Sequence, residues 1–326
     1  LHLCDRRQRQ MCIRDRLLVV GFVLLMKGAD VFVDGSSSLA GKLGIPQIVI
    51  GLTIVAFGTS APEAAISITA GIKGSAELAV SNVVGSNILN VLLILGIASI
   101  ITPLAVKKNT LFIEIPFVAV ITIVLLVLGM NGYSLSRFDG IILTILFLIF
   151  MGYLVYISLK KKDEEEEEVK KLPTWLMILY IILGGAAIVG GSQLTVNSAT
   201  AIAKYFGMSD RLIGLTIVAL GTSLPELITS VTAACKHNAD IAIGNIVGSN
   251  IFNILFVLGI TALLTPVQYS KDFIVDNIMA VICMVMLFLC VILTKDKKLN
   301  RAGGILMLLS YAAYFVCFIV LQIKLV

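Results

Sequence analysis

GLTIVAFGTSAPE, residues 51–63, and GLTIVALGTSLPE, residues 214–226, match at eleven of thirteen positions. Each copy is followed at the same distance by a second matching string, GSNILN at 85–90 and GSNIFN at 248–253. The offset is 163 residues without a gap and still relates Pro103 to Pro266. Each copy sets hydroxyls, a proline and a glutamate inside an otherwise apolar segment. Such groups are costly in lipid and face protein or a water-lined path when they occur within a membrane span.

The surrounding composition makes the membrane the relevant solvent. Of 326 residues, 58 % are hydrophobic and 14 % charged, where a soluble domain carries about 25 % charged residues. Apolar runs of roughly 20 residues recur along the whole length, as membrane-spanning helices require. The basic residues flank these runs rather than forming one patch, so the net charge of +5 carries no nucleic-acid signal. Cys235, Cys283, Cys290 and Cys317 lie in or at the ends of apolar segments and read as small buried hydrophobes; no metal-ligand spacing appears.

Ten spans are predicted, at 17–41, 45–72, 76–102, 110–130, 137–159, 174–204, 209–235, 240–265, 272–294 and 301–323. The first sixteen residues are Arg-rich and polar and do not belong with the apolar chain that begins at Leu17. A disordered tail and a gene-calling artefact are the two readings, and the tail is left out of charge counts. The organisation is therefore a tail at 1–16, a first membrane repeat at 17–159, a short charged linker at 160–173 and a second membrane repeat at 174–326. Five spans per half is an odd number, so the second copy enters the membrane inverted relative to the first. The fold class is an all-α polytopic membrane protein: ten transmembrane helices in two inverted five-helix repeats with broken core helices.

Thirteen Lys and Arg fall on one side of this arrangement, including Lys42, Lys107, Lys108, Lys236 and Lys298, against six on the other, among them Lys73, Arg137 and Lys271. The positive-inside bias places the first side, with the acidic run Asp163–Glu168, in the cytoplasm. Both termini then face outward, in a multi-pass protein of the cell inner (plasma) membrane.

Ala56, Thr59, Ser60 and Glu63 share one helix face at i, i+3, i+4 and i+7. Pro62 has no N–H, so the Gly58 carbonyl loses its helical partner and the helix unwinds or kinks. The second copy repeats this with Ala219, Thr222, Ser223, Pro225 and Glu226, leaving the Gly221 carbonyl open. In the next span Ser86 and Asn90 lie four apart on one face, matched by Ser249 and Asn253. Asn87 and Asn250 lie elsewhere on the wheel and are read as holding helices together, while Gly85 and Gly248 permit close backbone approach. The result is an all-oxygen cage of formal charge −2. Hard cations such as Ca²⁺ take six to eight oxygens from carboxylates, carbonyls, amides and water. One Ca²⁺ or two Na⁺ neutralise the cage, and mutually exclusive occupancy is the simplest physical route to exchange.

The paired GTSAPE/GTSLPE and GSNILN/GSNIFN strings resemble the two alpha repeats of sodium/calcium exchangers in the calcium/cation antiporter superfamily, and the compact prokaryotic members above all. The resemblance covers residues 17–326. It implies a secondary antiporter exchanging Na⁺ for Ca²⁺ by alternating access, electrogenic and directed toward Ca²⁺ export. It implies no enzymatic activity, no cofactor, and no obligate protein partner beyond the lipid bilayer and the transported ions. By resemblance, Glu63 and Glu226 are the central carboxylates, Thr59, Ser60, Thr222 and Ser223 supply hydroxyls or adjacent backbone oxygens, and Ser86, Asn90 and Ser249 are ligands. Ala56 and Ala219 contribute main-chain carbonyls to outer Na⁺ positions. The long first helix of each half is expected to slide against the ion-binding core. Asn253 is a departure where some members carry aspartate, which puts a potassium requirement in doubt. Proton-coupled and potassium-dependent antiporters, or exchangers of another divalent cation, are the alternatives. Proton-coupled relatives typically carry asparagine where this chain has Thr59 and Thr222.

Outside the repeat, Lys27, Asp30 and Asp34 fall at i, i+3 and i+7 of the first span. A Lys27–Asp30 pair in its outer half is expected, with an outer-vestibule role for the aspartates as the alternative. The equivalent residues of the second half are Gly190, Gln193 and Asn197. Asp163–Glu168 reads as a solvated charge run, lacking the glycine and ligand spacing of an EF-hand. His237 reads as a solvated loop residue.

Overall fold

The computed structural model describes residues 2–73, 76–160, 172–206 and 219–324. The acidic run, Gly214–Val218 of the second motif and Arg211 lie outside the described residues. α1 runs His2–Leu43, so the Arg-rich stretch continues the first span as helix rather than forming a disordered tail. Next come α2 (Gln47–Thr59), α3 (Ala61–Ile72), α4 (Glu77–Ile101), α5 (Thr110–Met130) and α6 (Arg137–Lys160). The second half holds α7 (Thr174–Tyr205), α8 (Ala219–Thr222), α9 (Leu224–Cys235), α10 (Ala239–Leu264), α11 (Asp272–Ile292) and α12 (Arg301–Lys324). Six of these are long and apolar enough to cross a membrane, or seven when the bent α2–α3 pair counts as one span. The chain is an all-α polytopic membrane protein.

Burial separates the long helices into two classes. In α4 and α10, 72 % and 83 % of the most apolar window lies inside the protein, against at most 39 % in α5, α6, α7 and α11. The first pair therefore forms the centre, and the others expose residues such as Ile145, Leu148 and Ile182, the pattern of lipid-facing helices. α1 and α7 lie along one another. Gly21 and Gly28 of α1 meet Gly191 and Gly184 of α7 so closely that a Cβ on any of them would meet the opposing backbone. Small residues at a crossing let two membrane helices approach backbone to backbone.

Two antiparallel pairs of two-residue strands, not expected from the sequence, clip the halves together. β1 (Leu104–Ala105) pairs with β4 (Lys298–Leu299), and β2 (Ser134–Leu135) pairs with β3 (Val267–Gln268). The first clip joins the α4–α5 loop to the α11–α12 loop, and the second joins the α5–α6 loop to the α10–α11 loop.

The aspartates of α1 are placed differently from expectation. Lys236, at the C-terminal end of α9, reaches Asp30 Oδ1 at 2.7 Å and Asp34 Oδ1 at 2.5 Å. The partner is Lys236 rather than Lys27, and the pair sits toward the end of α1 that carries Lys42. The cause is tertiary: a helix from the other half ends beside α1, which periodicity within α1 cannot reveal. His237 is exposed, as expected. Cys283 is buried, but Cys235 and Cys317 are exposed, so burial does not account for those two.

Candidate ion-binding site

Both copies of the motif break their helix at the serine. The backbone turns at Ser60 (φ −83°, ψ 4°) and at Ser223 (φ −93°, ψ 7°), and α2 and α3 meet at 53°. Pro62 and Pro225 then sit in the first turn of α3 and α9, where a missing N–H costs nothing. The break puts Glu63 and Glu226 in the first turn of a new helix, where the positive end of the helix dipole favours a carboxylate. Both glutamates are 1 % exposed.

The two halves then exchange contacts. Ser60 Oγ donates to Glu226 Oε1 at 2.7 Å, and Ser223 Oγ donates to Glu63 Oε1 at 3.4 Å. Each carboxylate is thus met by a hydroxyl from the opposite motif, and the Glu226 charge acts on Glu63. The Gly221 carbonyl is not open as predicted: Ser192 Oγ of α7 donates to it at 2.9 Å. A bare carbonyl is costly away from water, and a neighbouring hydroxyl satisfies it.

α4 and α10 supply the rest. Asn87 Nδ2 donates to the Asn250 carbonyl, and Asn250 Nδ2 to the Asn87 carbonyl, both at 3.3 Å. Their side-chain oxygens accept in turn: Asn253 Nδ2 donates to Asn87 Oδ1 at 3.1 Å, and Asn90 Nδ2 to Asn250 Oδ1 at 3.0 Å. Asn87 and Asn250 hold the helices together, as read from the wheel. They also fix which way the next pair of amides points. With their NH₂ groups committed, Asn90 and Asn253 are left with Oδ1 buried and without a hydrogen-bond partner among the described residues.

The same is true of Glu63 Oε2, Glu226 Oε2 and Ser249 Oγ. Buried polar atoms are nearly always paired in native proteins, and these five oxygens, all on residues of the two repeated motifs, lack such a partner among the described residues. Ser86 is buried beside them in the sequence of α4. Among the described residues no group of three or more His, Cys, Asp or Glu converges. The donor set is two carboxylates with neutral oxygens, which suits hard cations rather than zinc or copper.

Four other predicted residues are placed less directly. Thr59 and Thr222 are buried. Thr59 Oγ1 donates to Asn245 Oδ1 at 2.9 Å, with the Ala56 carbonyl a weaker acceptor at 3.3 Å. The Ala56 carbonyl also accepts from Ser60 N–H at 3.0 Å. Ala219 opens α8.

Sequence reasoning missed the supports of this cage. Asn245 Nδ2 donates to Ser230 Oγ at 2.9 Å, and Asn82 Nδ2 to Ser67 Oγ at 3.0 Å. All four positions obey the 163-residue offset, and extending the repeat three residues before GSN finds both asparagines. Turns of π-helix at Asn90–Ile94 and Phe252–Leu258 were also missed. Such turns rotate the side chains beyond them and recur at functional sites. Gly248 packs against the backbone of Leu52, and the equivalent neighbour of Gly85, Leu215, lies outside the described residues.

The family profile of the sodium/calcium exchanger protein matches residues 16–156 and 176–320. The chain belongs to the sodium/calcium exchanger family. Among its relatives, the putative antiporter CaxA of Alkalimonas amylolytica is 39 % identical over 93 % of this chain and 98 % of its own length. The sodium/calcium exchanger MaX1 of Methanosarcina acetivorans is 32 % identical over 92 % and 97 %. A solved structure of the sodium-calcium exchanger NCX_Mj, soaked with 10 mM Na⁺ and zero Ca²⁺, superposes with a TM-score of 0.82 at 32 % identity, covering 95 % of this chain and 99 % of that one. The exchanger described here is therefore a transporter of that family rather than an enzyme.

Proposed function

We propose that this exchanger is a secondary antiporter that moves Na⁺ against Ca²⁺, with both ions competing for one cage between α3, α4, α9 and α10. The observation that carries the reading is the set of five buried oxygens, contributed by both repeats, that have no hydrogen-bond partner among the described residues. In this reading Glu63 and Glu226 are shared by both ions. Asn90, Asn253, Ser86 and Ser249 complete the Ca²⁺ shell with water. Ser60 and Ser223 serve as hydroxyls that turn from the carboxylate to the ion. Thr59 and Thr222, with the carbonyls of Ala56 and Ala219, serve outer Na⁺ positions. An ion at Ala56 takes the place of the Thr59 hydroxyl on that carbonyl.

The cage carries a formal charge of −2. One Ca²⁺ or two Na⁺ cancel it, while the site without ions leaves two charges uncompensated away from water, which is expensive. Exchange is then a matter of electrostatics: the loaded states can rearrange, and the unloaded state is penalised. A third Na⁺ per Ca²⁺ makes transport electrogenic. With an inward Na⁺ gradient the direction is Ca²⁺ export.

The finer architecture belongs to the same proposal: ten spans, two inverted repeats and alternating access around the broken helices. Support comes from the strand clips. Charge counting assigns the loops of β1 and β4 to the cytoplasmic face and those of β2 and β3 to the outer face, and each pair meets in space. Both termini lie outside in this arrangement.

The test is ⁴⁵Ca²⁺ uptake into proteoliposomes loaded with Na⁺, K⁺ or a proton gradient. Uptake driven by outward Na⁺ at fixed pH is expected. Uptake that ignores Na⁺ and tracks an imposed pH difference overturns the sodium reading in favour of proton coupling.

A further inference from the structure

One fully buried carboxylate of the first half is not used by the central cage. Glu114, on α5, is 1 % exposed. Tyr153 of α6 donates its hydroxyl to Glu114 Oε1 at 2.6 Å. Glu114 Oε2 and the Thr110 hydroxyl, 1 % exposed and acting on the same carboxyl, make no well-formed hydrogen bond to any other described residue. Thr110 and Glu114 are the first and last residues of a π-helical turn, the same distortion that carries Asn90 and Asn253. Both line a cavity of about 260 Å³ that reaches the exposed Lys107 and Lys108 and touches Leu52 of α2.

The charges around it are accounted for. Lys107 Nζ lies 2.6 Å from Asp240 Oδ2, so its charge is spent on that aspartate. Lys108 is exposed at the mouth, where solvent screens it. Glu114 is left with neutral hydroxyls, those of Tyr153 and Thr110, beside the cavity, and the one further charge that acts on it, Asp240, is negative and already paired with Lys107. Ionised, it needs a positive partner, which the neutral hydroxyls beside it do not supply and the cavity can.

We propose that Glu114, Thr110 and Tyr153 form an accessory site for one small monovalent cation, with Na⁺ as its probe. The site carries a single formal charge, which one alkali ion cancels and a divalent ion exceeds. Three side-chain oxygens converge, and the cavity has room for several waters, at ~30 Å³ each, to complete the shell. The second half pairs a carboxylate with a phenol between the corresponding helices, Tyr314 Oη of α12 donating to Asp276 Oδ1 of α11 at 2.7 Å, but there the carboxylate is only half-buried. The 163-residue offset puts Asn277, Phe273 and Val316 in place of Glu114, Thr110 and Tyr153. Asn277 Nδ2 instead donates to Tyr269 Oη at 2.7 Å. The fully buried carboxylate thus belongs to the first half, and its contact with α2 ties it to the helix that leads into the cage.

Equilibrium binding of ²²Na⁺ to the purified full-length protein in detergent tests this. In the Glu63→Gln/Glu226→Gln background, which removes both charges of the central cage, one saturable Na⁺ per chain is expected to remain. Adding Glu114→Asn, a residue the fold already accepts at Asn277, removes it or weakens it ~tenfold or more, because it deletes the site's only formal charge. In the wild-type background Glu114→Asn lowers the saturating stoichiometry by one. That arm stands even if the double variant fails to fold, and size-exclusion profiles establish folding in each case. Tyr153→Phe weakens the accessory ion only a few-fold, since it removes one neutral oxygen. Wild-type stoichiometry in Glu114→Asn overturns the proposal, as does no saturable Na⁺ in a folded double variant. A central cage that takes no Na⁺ gives a different signature: one ion per chain with or without Glu63 and Glu226.

Discussion

The two halves of the exchanger agree where they meet and diverge where they do not. At the interface the correspondence is residue for residue: Ser60 with Ser223, Glu63 with Glu226, Asn82 with Asn245, Asn87 with Asn250. Away from it the copies have separated. Lys236 meets Asp30 and Asp34, whereas the offset sets Lys73 against Gln193 and Asn197. Glu114 corresponds to Asn277, and Ser192, which caps the Gly221 carbonyl, corresponds to Ala29. A site shared by two copies must be met by both, so neither can drift. The periphery is free to differ, and differences there can favour one conformation over its mirror.

The largest expected effect breaks the symmetric core. Glu63→Gln and Glu226→Gln each remove half the charge that balances a divalent ion. Na⁺-driven ⁴⁵Ca²⁺ exchange should fall at least ~100-fold in either variant, since losing one partner of a buried charge pair costs ~3 kcal/mol or more. Retained exchange in one of them would show that the halves are not equivalent. Protons compete for the same carboxylate oxygens, so wild-type exchange should decline as the medium is acidified and recover on return to neutral pH. A profile flat in acid would count against carboxylates as shared ligands.

The asparagine pair gives a smaller and more symmetric effect. Asn87→Ala and Asn250→Ala each remove one donated and one accepted bond across α4 and α10, and release the amide of Asn253 or Asn90. Thermal unfolding in detergent should show each variant destabilised by about 1–3 kcal/mol, with the KM for Ca²⁺ raised. Equal shifts would sharpen the comparison. A response to alanine at one position and none at the other would break it.

Thr59→Val and Thr222→Val keep shape and remove an oxygen. Because Thr59 donates to Asn245, part of its effect acts through the asparagine rather than the ion. A several-fold loss of Na⁺ affinity, with Ca²⁺ affinity changed less, is the expected outcome in proteoliposomes. Equal losses for both ions would assign the hydroxyls to the scaffold.

Much of this architecture is legible in the sequence alone. Apart from the start of α1, which begins well before Leu17, and of the seventh span, which lies outside the described residues, the span boundaries fall within a few residues of the described helices because hydrophobic length reports them directly. The motif residues stand out because polar groups in an apolar run have few benign explanations. The features that escape the sequence are tertiary. The partner of Asp30 and Asp34 comes from the far half, and the Gly221 carbonyl is satisfied from a third helix. Neither depends on spacing within one segment. The π-helical turns at Asn90 and Phe252 leave no mark in hydrophobic periodicity, since α4 and α10 are buried on most sides and carry no polar face in which a change of phase would show. Asn82 and Asn245 are a different case. They are readable from the repeat, but only when the match is extended beyond GSN, because a lone amide near a helix end carries no chemical signal of its own.

The smallest predicted effect tests whether the diverged periphery sets a bias. Lys236 Nζ holds Asp30 Oδ1, Asp34 Oδ1 and the Asp30 carbonyl within 2.5–2.7 Å. It thereby ties α1 of the first half to the end of α9 in the second. The groups are partly exposed, so the tie is worth about 0–1 kcal/mol, a few-fold in a rate or population. If α1 shifts against the core during transport, this contact must break, and Lys236→Gln should lower the share of the conformation seen here. The mirrored change, Gln193→Asp with Asn197→Asp, offers Lys73 the partners that Lys236 already has and should favour the opposite conformation. Ca²⁺ affinities measured separately from the two faces of sided proteoliposomes report the balance. The two variants should both weaken apparent affinity at the same face, the one to which this conformation is open, because each moves the population away from it. Reversing the existing pair, with Lys236→Asp and Asp34→Lys together, should restore part of the wild-type value. No change in any of the three would mean that the pair is surface charge alone, and that the halves differ outside the cage without consequence for transport.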